Sequence, residues 1–357
     1  MPAKLDAVPN HPVTVSVIVP ARNEEASLGT CLNSLVQQTG VVFEIIVVDD
    51  HSTDRTRSIA SSFVNPAGNT KVNVIEAAPL PPGWTGKNNA ATSGARVACG
   101  EWLLFTDADT VHLSGSLARA LYEAQHHKAG MLSYSPEQIV KGFWEKAVMP
   151  VVFAELAITF RPSQVNDPNS SAAAANGQYI LITREAYDAV GGHAAIAGSL
   201  LEDVALARRV KRSGRKIFFR FAPDAVRTRM YRSFTQLREG WTKNLALLFP
   251  SAVRLAALRM TEFVLILASF AIAIVTSLRG EVRSAAISAM LATILYAVFI
   301  ARIRRAHFSW DATLLALFGL PLFSYLSLRS KVFHERKNVM WKGRVYSETA
   351  DVLAAGR

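Results

Sequence analysis

Cysteine is almost missing from this chain: 357 residues carry two, Cys31 and Cys99. That scarcity excludes a disulfide-stapled scaffold and suits buried free thiols in a reducing compartment. Met1 to Pro12 has no apolar core of the kind a signal peptide needs, so no cleaved leader is expected. No internal repeat is visible. The first 240 residues also lack net charge, with 24 Lys and Arg against 22 Asp and Glu, or +2 of the total +11. Residues 241–357 hold the other +9, 15 basic against 6 acidic, and the long apolar runs lie there too. That pairing favours an anionic membrane surface. It argues against nucleic acid, whose footprint would sit on the soluble part among aromatics.

What is present first is alternation. Residues 13–20 and Phe43 to Val48 are β-branched, nearly uninterrupted runs, the pattern of strands buried on both faces. Leu28, Leu32 and Leu35 give residues 24–37 helical spacing, and Ser52 or Thr53 can cap a helix running to Phe63. Val72 to Ile75 reads as a third strand, 87–98 as a helix and Trp102 to Thr106 as a fourth strand. Strands alternating with helices imply an α/β domain with a mostly parallel central sheet. Residues 162–177 form a long polar loop rich in Asn, Ser and Ala, of the kind that closes over a ligand.

After Trp241 three charge-free runs follow: Phe263–Leu278, Ala285–Ala301 and Ala312–Leu328. Each rises only about 25 Å at about 1.5 Å per residue, and flanking Ser, Thr and snorkelling Arg extend it towards a bilayer core of about 30 Å. They are expected to be transmembrane helices. Residues 244–258, broken by Pro250 and Arg254, read as an amphipathic segment on the bilayer. The expected organisation is a tail at 1–12, an α/β domain at 13–240, an interfacial segment at 241–260, about three spans within 261–330 and a basic tail at 331–357. Three spans would put that tail opposite a cytosolic domain, against the preference of positive residues for the cytosol. Either one run does not span, or 244–258 also enters the membrane.

Chemistry concentrates at predicted strand ends. Phe105-Thr106-Asp107-Ala108-Asp109-Thr110 sets two carboxylates one residue apart. Like charges that close resist ionising together, a conflict that a hard divalent cation relieves. Strand ends also face the crevice where open α/β sheets bind ligands. Val17 to Glu25, which includes Pro20, Ala21, Asn23 and Glu24, and Val47 to Asp54, which includes Asp50, place polar turns suited to a base and ribose. They are equally ordinary strand-to-helix turns. Lys87 follows Gly83 and Gly86 at a helix N-terminus, which suits a diphosphate, though a lone Gly-Lys pair is often plain surface. Glu202-Asp203 opens an amphipathic helix; Asp203 can be a general base or simply a first-turn acid favoured by the helix dipole.

Taken in order, VSVIVPARNEE, VVDDHSTDRT, GWTGKNNAA, LLFTDADT and LLEDVALARRVKRSGRKI resemble a family 2 glycosyltransferase of GT-A fold over about 13–245. The stretch from Gly177 to Tyr187, ending in Gly191-Gly192-His193, with PPGWTGK and the C-terminal runs, resembles the branch of hopene-associated and carotenoid glycosyltransferases. The resemblance implies roles. Pro20, Ala21, Asn23 and Glu24 would lie at the nucleotide, and Asp50 would recognise the base, usually uracil. Lys87 would approach the diphosphate. Asp107 and Ala108 would face the donor, and Asp109 would bind Mg²⁺ or Mn²⁺. Asp203 would be the base of an inverting transfer, with Glu202 beside it. His193 would orient donor or acceptor, or be a structural histidine. Arg238 and Trp241 would line the acceptor side or anchor a helix, because Gln236-Leu237-Arg238-Glu239-Gly240-Trp241 departs from the Gln-x-x-Arg-Trp of processive synthases. The implied activity uses a nucleotide-diphosphate sugar, UDP-linked by preference, and a lipid or isoprenoid acceptor at the cytoplasmic face of the cell membrane. A processive polysaccharide synthase, a non-catalytic nucleotide-sugar-binding membrane protein and a small-solute transporter are the rivals.

Overall fold

The structure, a computed structural model, describes residues 14–64, 70–249, 251–341 and 343–346. The expected tail at 1–12 and the part of the expected basic tail after Tyr346 lie outside them. The chain divides into two compact units, Met1–Glu137 with Pro162–Thr228, and Gln138–Arg161 with Arg229–Arg357. This division differs from the linear cut at 240. Residues 138–161 and 229–240 group with the C-terminal helices, because the apolar faces of 143–159 and 234–248 pack there.

The first unit is built on strands β1 (Val15–Ala21), β2 (Phe43–Asp49), β3 (Lys71–Glu76) and β4 (Trp102–Phe105), with helices α1 (Leu28–Val36), α2 (Thr56–Ser61) and α3 (Gly86–Val97) between them. Then come β5 (Thr110–His112), α4 (Ser116–His126), β6 (Met131–Ser135) and the two-residue β7 (Glu137–Gln138). The seven-stranded sheet has the order β3-β2-β1-β4-β8-β6-β9, where β8 is Ile180–Thr183 and β9 is Ile217–Phe221. β8 is antiparallel to both neighbours, and the remaining pairs are parallel. Every residue of β2 is buried, as its mostly apolar sequence requires of a strand covered on both faces, and its one mid-strand charge, Glu44, accepts from Ser16 Oγ at 2.7 Å. β1 and β2 pair in register from Val15 opposite Phe43 to Ala21 opposite Asp49. The C-terminal ends of β1, β2 and β4 therefore share one edge, and their loops carry Asn23 and Glu24, Asp50, and Asp107 with Asp109. α2 starts later than expected: the Asp54 carboxylate accepts from Thr56 N at 2.9 Å, while Ser52 and Thr53 bond to Asn23 in the turn before it.

The polar loop begins with α6 (Pro162–Val165) and is tied at both ends. Asn166 exchanges two hydrogen bonds with Phe219, at 3.1 and 2.7 Å, and Asn176 N donates to Ser133 Oγ at 2.8 Å. After β8 come α7 (Arg184–Ala189), a 3-10 turn (His193–Ile196), α8 (Glu202–Arg212) and β10 (Val226–Thr228), which pairs antiparallel with β5.

The second unit contains α5 (Phe143–Thr159), α9 (Phe234–Leu248), α10 (Ala252–Leu278), α11 (Val282–Ile303), α12 (Trp310–Glu335) and a terminal hairpin of β11 (Val339–Trp341) and β12 (Arg344–Tyr346). Three helices are long and apolar enough to cross a membrane: Ala252–Leu278, Val282–Ala306 and Trp310–Glu335. They extend well past the charge-free runs, which removes the expected shortfall in length. Residues 244–258 are not one segment. They take in the end of α9, which stops at Leu248, and the start of α10, which begins at Ala252.

Candidate active site

Lys87 is the hub of the site. Its Nζ lies 2.6 Å from Asp107 Oδ1 and 2.7 Å from Glu202 Oε1, joining the Asp-x-Asp loop after β4 to the start of α8. Burial alone would depress the ammonium pKa; the carboxylates of Asp107 and Glu202 outweigh it and hold the value well above the ordinary lysine range. Lys87 is therefore charged throughout the physiological range. Asp203 sits beside this pair, where Oδ2 accepts from Gly177 N at 2.9 Å and Oδ1 from Val204 N at 2.8 Å. Burial, followed by the neighbouring Glu202 charge, pushes the Asp203 carboxyl up to about 6. A carboxylate so tuned takes a proton more readily than a solvated one.

Local sequence explains why these groups meet. Thr85 caps α3, its side chain accepting from Asn88 N at 3.2 Å, so Lys87 falls in the first turn. Fully buried Asn88 sends its Nδ2 to the carbonyls of Ile196, Ala197 and Ser199 at 2.8, 2.9 and 3.1 Å. Thr85 N adds a bond to Ala197 O at 2.8 Å. The loop that leads into Glu202 and Asp203 is thereby fastened to the helix that carries Lys87. Gly177 completes the cradle: a Cβ there would lie 3.0 Å from both Glu202 Oε1 and Lys87 Nζ. Asn88 and Gly177 shape this cluster, and the sequence did not disclose that either does so. Asn88 stood in the quoted GWTGKNNAA segment, but nothing local marks an asparagine as a clamp on residues 108 or more positions away.

The Asp-x-Asp loop rests on a buried polar layer. Thr106 Oγ1 donates to Gln178 O at 2.8 Å and lies 3.1 Å from His112 Nε2, which therefore carries the proton. Burial drops His112 to about 3, so it is neutral. Gln178 Nε2 donates to Thr228 Oγ1 at 3.3 Å, which donates to Asp109 O at 3.2 Å. Ala108 is buried, whereas Asp107 and Asp109 are each partly exposed. The buried Cys31 thiol, 3.7 Å from Asp107 O, is pushed up by burial and then by the charges of Asp109, Asp107 and Glu24.

Among the described residues, no cluster of three or more His, Cys, Asp or Glu side chains forms a metal cage. The donor set does fit a hard cation held through one or two carboxylates and shared with phosphate oxygens, as Mg²⁺ sites commonly are. Asp107 and Asp109 would supply the oxygens, and Lys87 would have to yield Asp107 or share it.

The remaining predicted residues take varied places. Pro20 and Ala21 lie in β1 opposite Val48 and Asp49. Asn23, in left-handed backbone at φ 52°, accepts from Thr53 N at 2.9 Å and so braces the β2–α2 turn with its side chain. Glu24 N donates to Thr56 Oγ1 at 2.7 Å. Asp50 is buried at the end of β2, its N donating to Ala21 O at 2.8 Å and its carbonyl accepting from Arg22. His193 is buried, its Nδ1 3.1 Å from Tyr187 Oη and its ring edge-on to Phe105. Burial lowers it to about 4, although Glu202 pulls the other way. It is neutral and close enough to feel both Glu202 and Lys87. Arg238 and Trp241 belong to α9 of the second unit. Trp241 is buried between Tyr231 and Phe153, a core residue and not a headgroup anchor.

Residues 16–191 match the profile described as "Glycosyl transferase family 2". Over 246 residues the chain is 34% identical to the 4,4'-diaponeurosporenoate glycosyltransferase of Staphylococcus aureus strain MRSA252. It is 33% identical to the enzyme of that name in strain USA300. Each alignment covers 66% of this chain and 62% of the relative, so the chain spans less than two thirds of the length of these curated relatives. The solved complex of the mannosyltransferase PcManGT from Pyrobaculum calidifontis with GDP-Man and Mn²⁺ has a TM-score of 0.52 at 18% identity, over 93% of this chain and 90% of that one. That likeness is one of fold. Sheet topology, the order of the strand-end motifs and the profile match agree: residues 16–191 carry a glycosyl transferase family 2 domain, folded as a GT-A-type α/β unit.

Proposed function

We propose that this protein is an inverting glycosyltransferase that moves a sugar from a nucleoside-diphosphate sugar, UDP-linked by preference, to a hydroxyl of a lipid acceptor at the cytoplasmic face of the cell membrane. The observation that carries the proposal is the Lys87 bridge between Asp107 and Glu202, with Asp203 alongside. Three distant segments bring a cation, an Asp-x-Asp carboxylate and a proton acceptor to one place. Lys87 would hold the donor's diphosphate. Asp203 would take the acceptor proton as that oxygen attacks the anomeric carbon and the bond to the diphosphate breaks. Mg²⁺ or Mn²⁺ on Asp109 would supply charge neutralisation for the departing nucleoside diphosphate. Asp50, at the end of β2, would face the base. The lipid acceptor is supported by the three apolar helices and by relatives named for a carotenoid-type substrate.

A second reading concerns the acceptor atom. The relatives' name ends in "-oate", a carboxylate. A carboxylate acceptor is already ionised near neutral pH and needs no base. The pH profile separates the two. With a hydroxyl acceptor, kcat/KM should fall about tenfold per pH unit below the Asp203 value of about 6. With a carboxylate it should stay level there. The primary test is the purified full chain in lipid with a panel of nucleotide sugars and Mg²⁺ or Mn²⁺, following released nucleoside diphosphate. No release with any donor, from folded protein, would overturn the proposal.

A further inference from the structure

We propose that only α10 and α11 cross the bilayer, as a two-helix hairpin, and that α12 lies with one face on the leaflet nearest the α/β unit, so that the basic C-terminal segment stays on that unit's side. The inference rests on the membrane location proposed above and concerns how the chain meets an anionic lipid surface.

Exposure separates the three helices. In the most apolar stretches of α10 and α11, 11% of residues are buried, against 50% in α12. The large exposed apolar residues of α10, among them Val264, Leu265, Leu267, Phe270 and Ile272, point in all directions around the axis. Those of α12 do not. Trp310, Leu314, Phe318, Tyr325, Leu328 and Val332 fall within about 80° of one another at about 100° per residue. The opposite face of α12 is apolar as well, with Ala312, Ala316, Leu320, Phe323 and Leu326 buried against protein, so α12 offers lipid one side only, whereas α10 and α11 offer it most of their circumference.

Contacts fix the ends of α12. Near its start, Asp311 pairs with Lys146 of α5 at 2.6 Å. Near its end, Ser330 Oγ donates to Thr242 O of α9 at 2.6 Å and accepts from Ala246 N at 2.9 Å. Between them, Ser324 Oγ donates to Ala256 O, in the second turn of α10, at 2.8 Å. α5 is bounded on both sides by segments of the α/β unit, so it cannot have crossed, and α9 precedes the hairpin. Both ends of α12 are therefore held by helices on the α/β side, which a spanning helix does not permit.

Charge marks the two faces of the bilayer. Glu155, Arg259, Glu262 and Arg302 form a neutral cluster that ties α5, α10 and α11 together, with Arg302 2.6 Å from Glu155 and 2.7 Å from Glu262. From that level the apolar stretch rises about 24 Å to Leu278 along α10 and falls about 27 Å from Ser284 along α11, close to the thickness of a hydrocarbon core. The far turn carries only Arg279, Glu281 and Arg283. The near side holds Arg304 and Arg305 after α11 and Lys331, Arg336 and Lys337 at the end of α12. Two crossings satisfy the positive-inside preference that three would violate.

The test uses single cysteines in a Cys99→Ser background, with buried Cys31 left in place: Tyr122→Cys on the α/β unit, Glu281→Cys, Ser309→Cys and Met340→Cys. A membrane-impermeant maleimide is applied to oriented vesicles, and labelling in detergent confirms that each cysteine is reactive. Positions 122, 309 and 340 should label from one side and 281 only from the other. Met340→Cys labelling with Glu281→Cys would show that α12 crosses and would overturn the hairpin while leaving membrane insertion intact. All four labelling from one side, or 281 protected from both, would overturn the crossing itself.

Discussion

At the scale of the residue, Asp203 makes the sharpest claim. Its folded carboxyl titrates at about 6, above the ordinary 3.8, so the folded state binds that proton more tightly than the unfolded chain. The linked stability is full below about pH 4 and is lost as pH rises through 6. Asp203→Asn removes the buried charge. It should lower kcat by at least about a hundredfold if the acceptor is a hydroxyl. At pH 7 it should keep or raise the melting temperature, and at pH 4 the gain should vanish. Melting curves at the two pH values, run beside nucleoside-diphosphate release, check both halves. Gly177 is the complementary case. Gly177→Ala places a methyl against Lys87 and Glu202 in ordinary backbone, so kcat/KM should drop about tenfold or more while melting shifts by only a few degrees.

At the scale of the element, the close crossing of α5 and α12 is decided by Gly319, whose missing side chain leaves room for the Ala147 carbonyl. Gly319→Val would force the helices apart and should lower detergent-solubilised melting by about 5 °C or more, with yield falling first. The strands and the strand-end motifs were legible in the sequence because β1, β2 and β4 are nearly continuous apolar runs that end in polar turns. The antiparallel insertion of β8 was not, since Ile180–Thr183 looks the same in either direction. α2 began later than its Ser-Thr signal suggested because Asn23, thirty positions away, had claimed Thr53.

At the scale of the whole molecule, the second unit depends on a charge cluster that the apolar runs gave no hint of. Glu155 accepts from Arg302 at 2.6 Å and lies 3.2 Å from Arg259, all three largely buried. Glu155→Ala would leave two guanidinium groups short of a partner, a change that typically destabilises by about 3–5 kcal/mol. The variant should extract from membranes as an aggregate or melt markedly earlier in size-exclusion and thermal assays. Arg302→Met with Glu155→Leu, which removes the charge pair together, should recover much of the loss.

The sequence by itself determined the local features: which segments are strands, where carboxylates cluster at strand ends, which stretches are too apolar for water, and that the order of these pieces resembles family 2 glycosyltransferases. Each depends on neighbours along the chain. Tertiary structure alone decided that Lys87 bridges Asp107 and Glu202, that Asn88 clamps the approach to Asp203, that α5 groups with the helical unit, and that α12 is held at both ends. Those facts turn on distances between residues far apart in sequence, and burial and charge pairing at such distances exist only once the chain is folded.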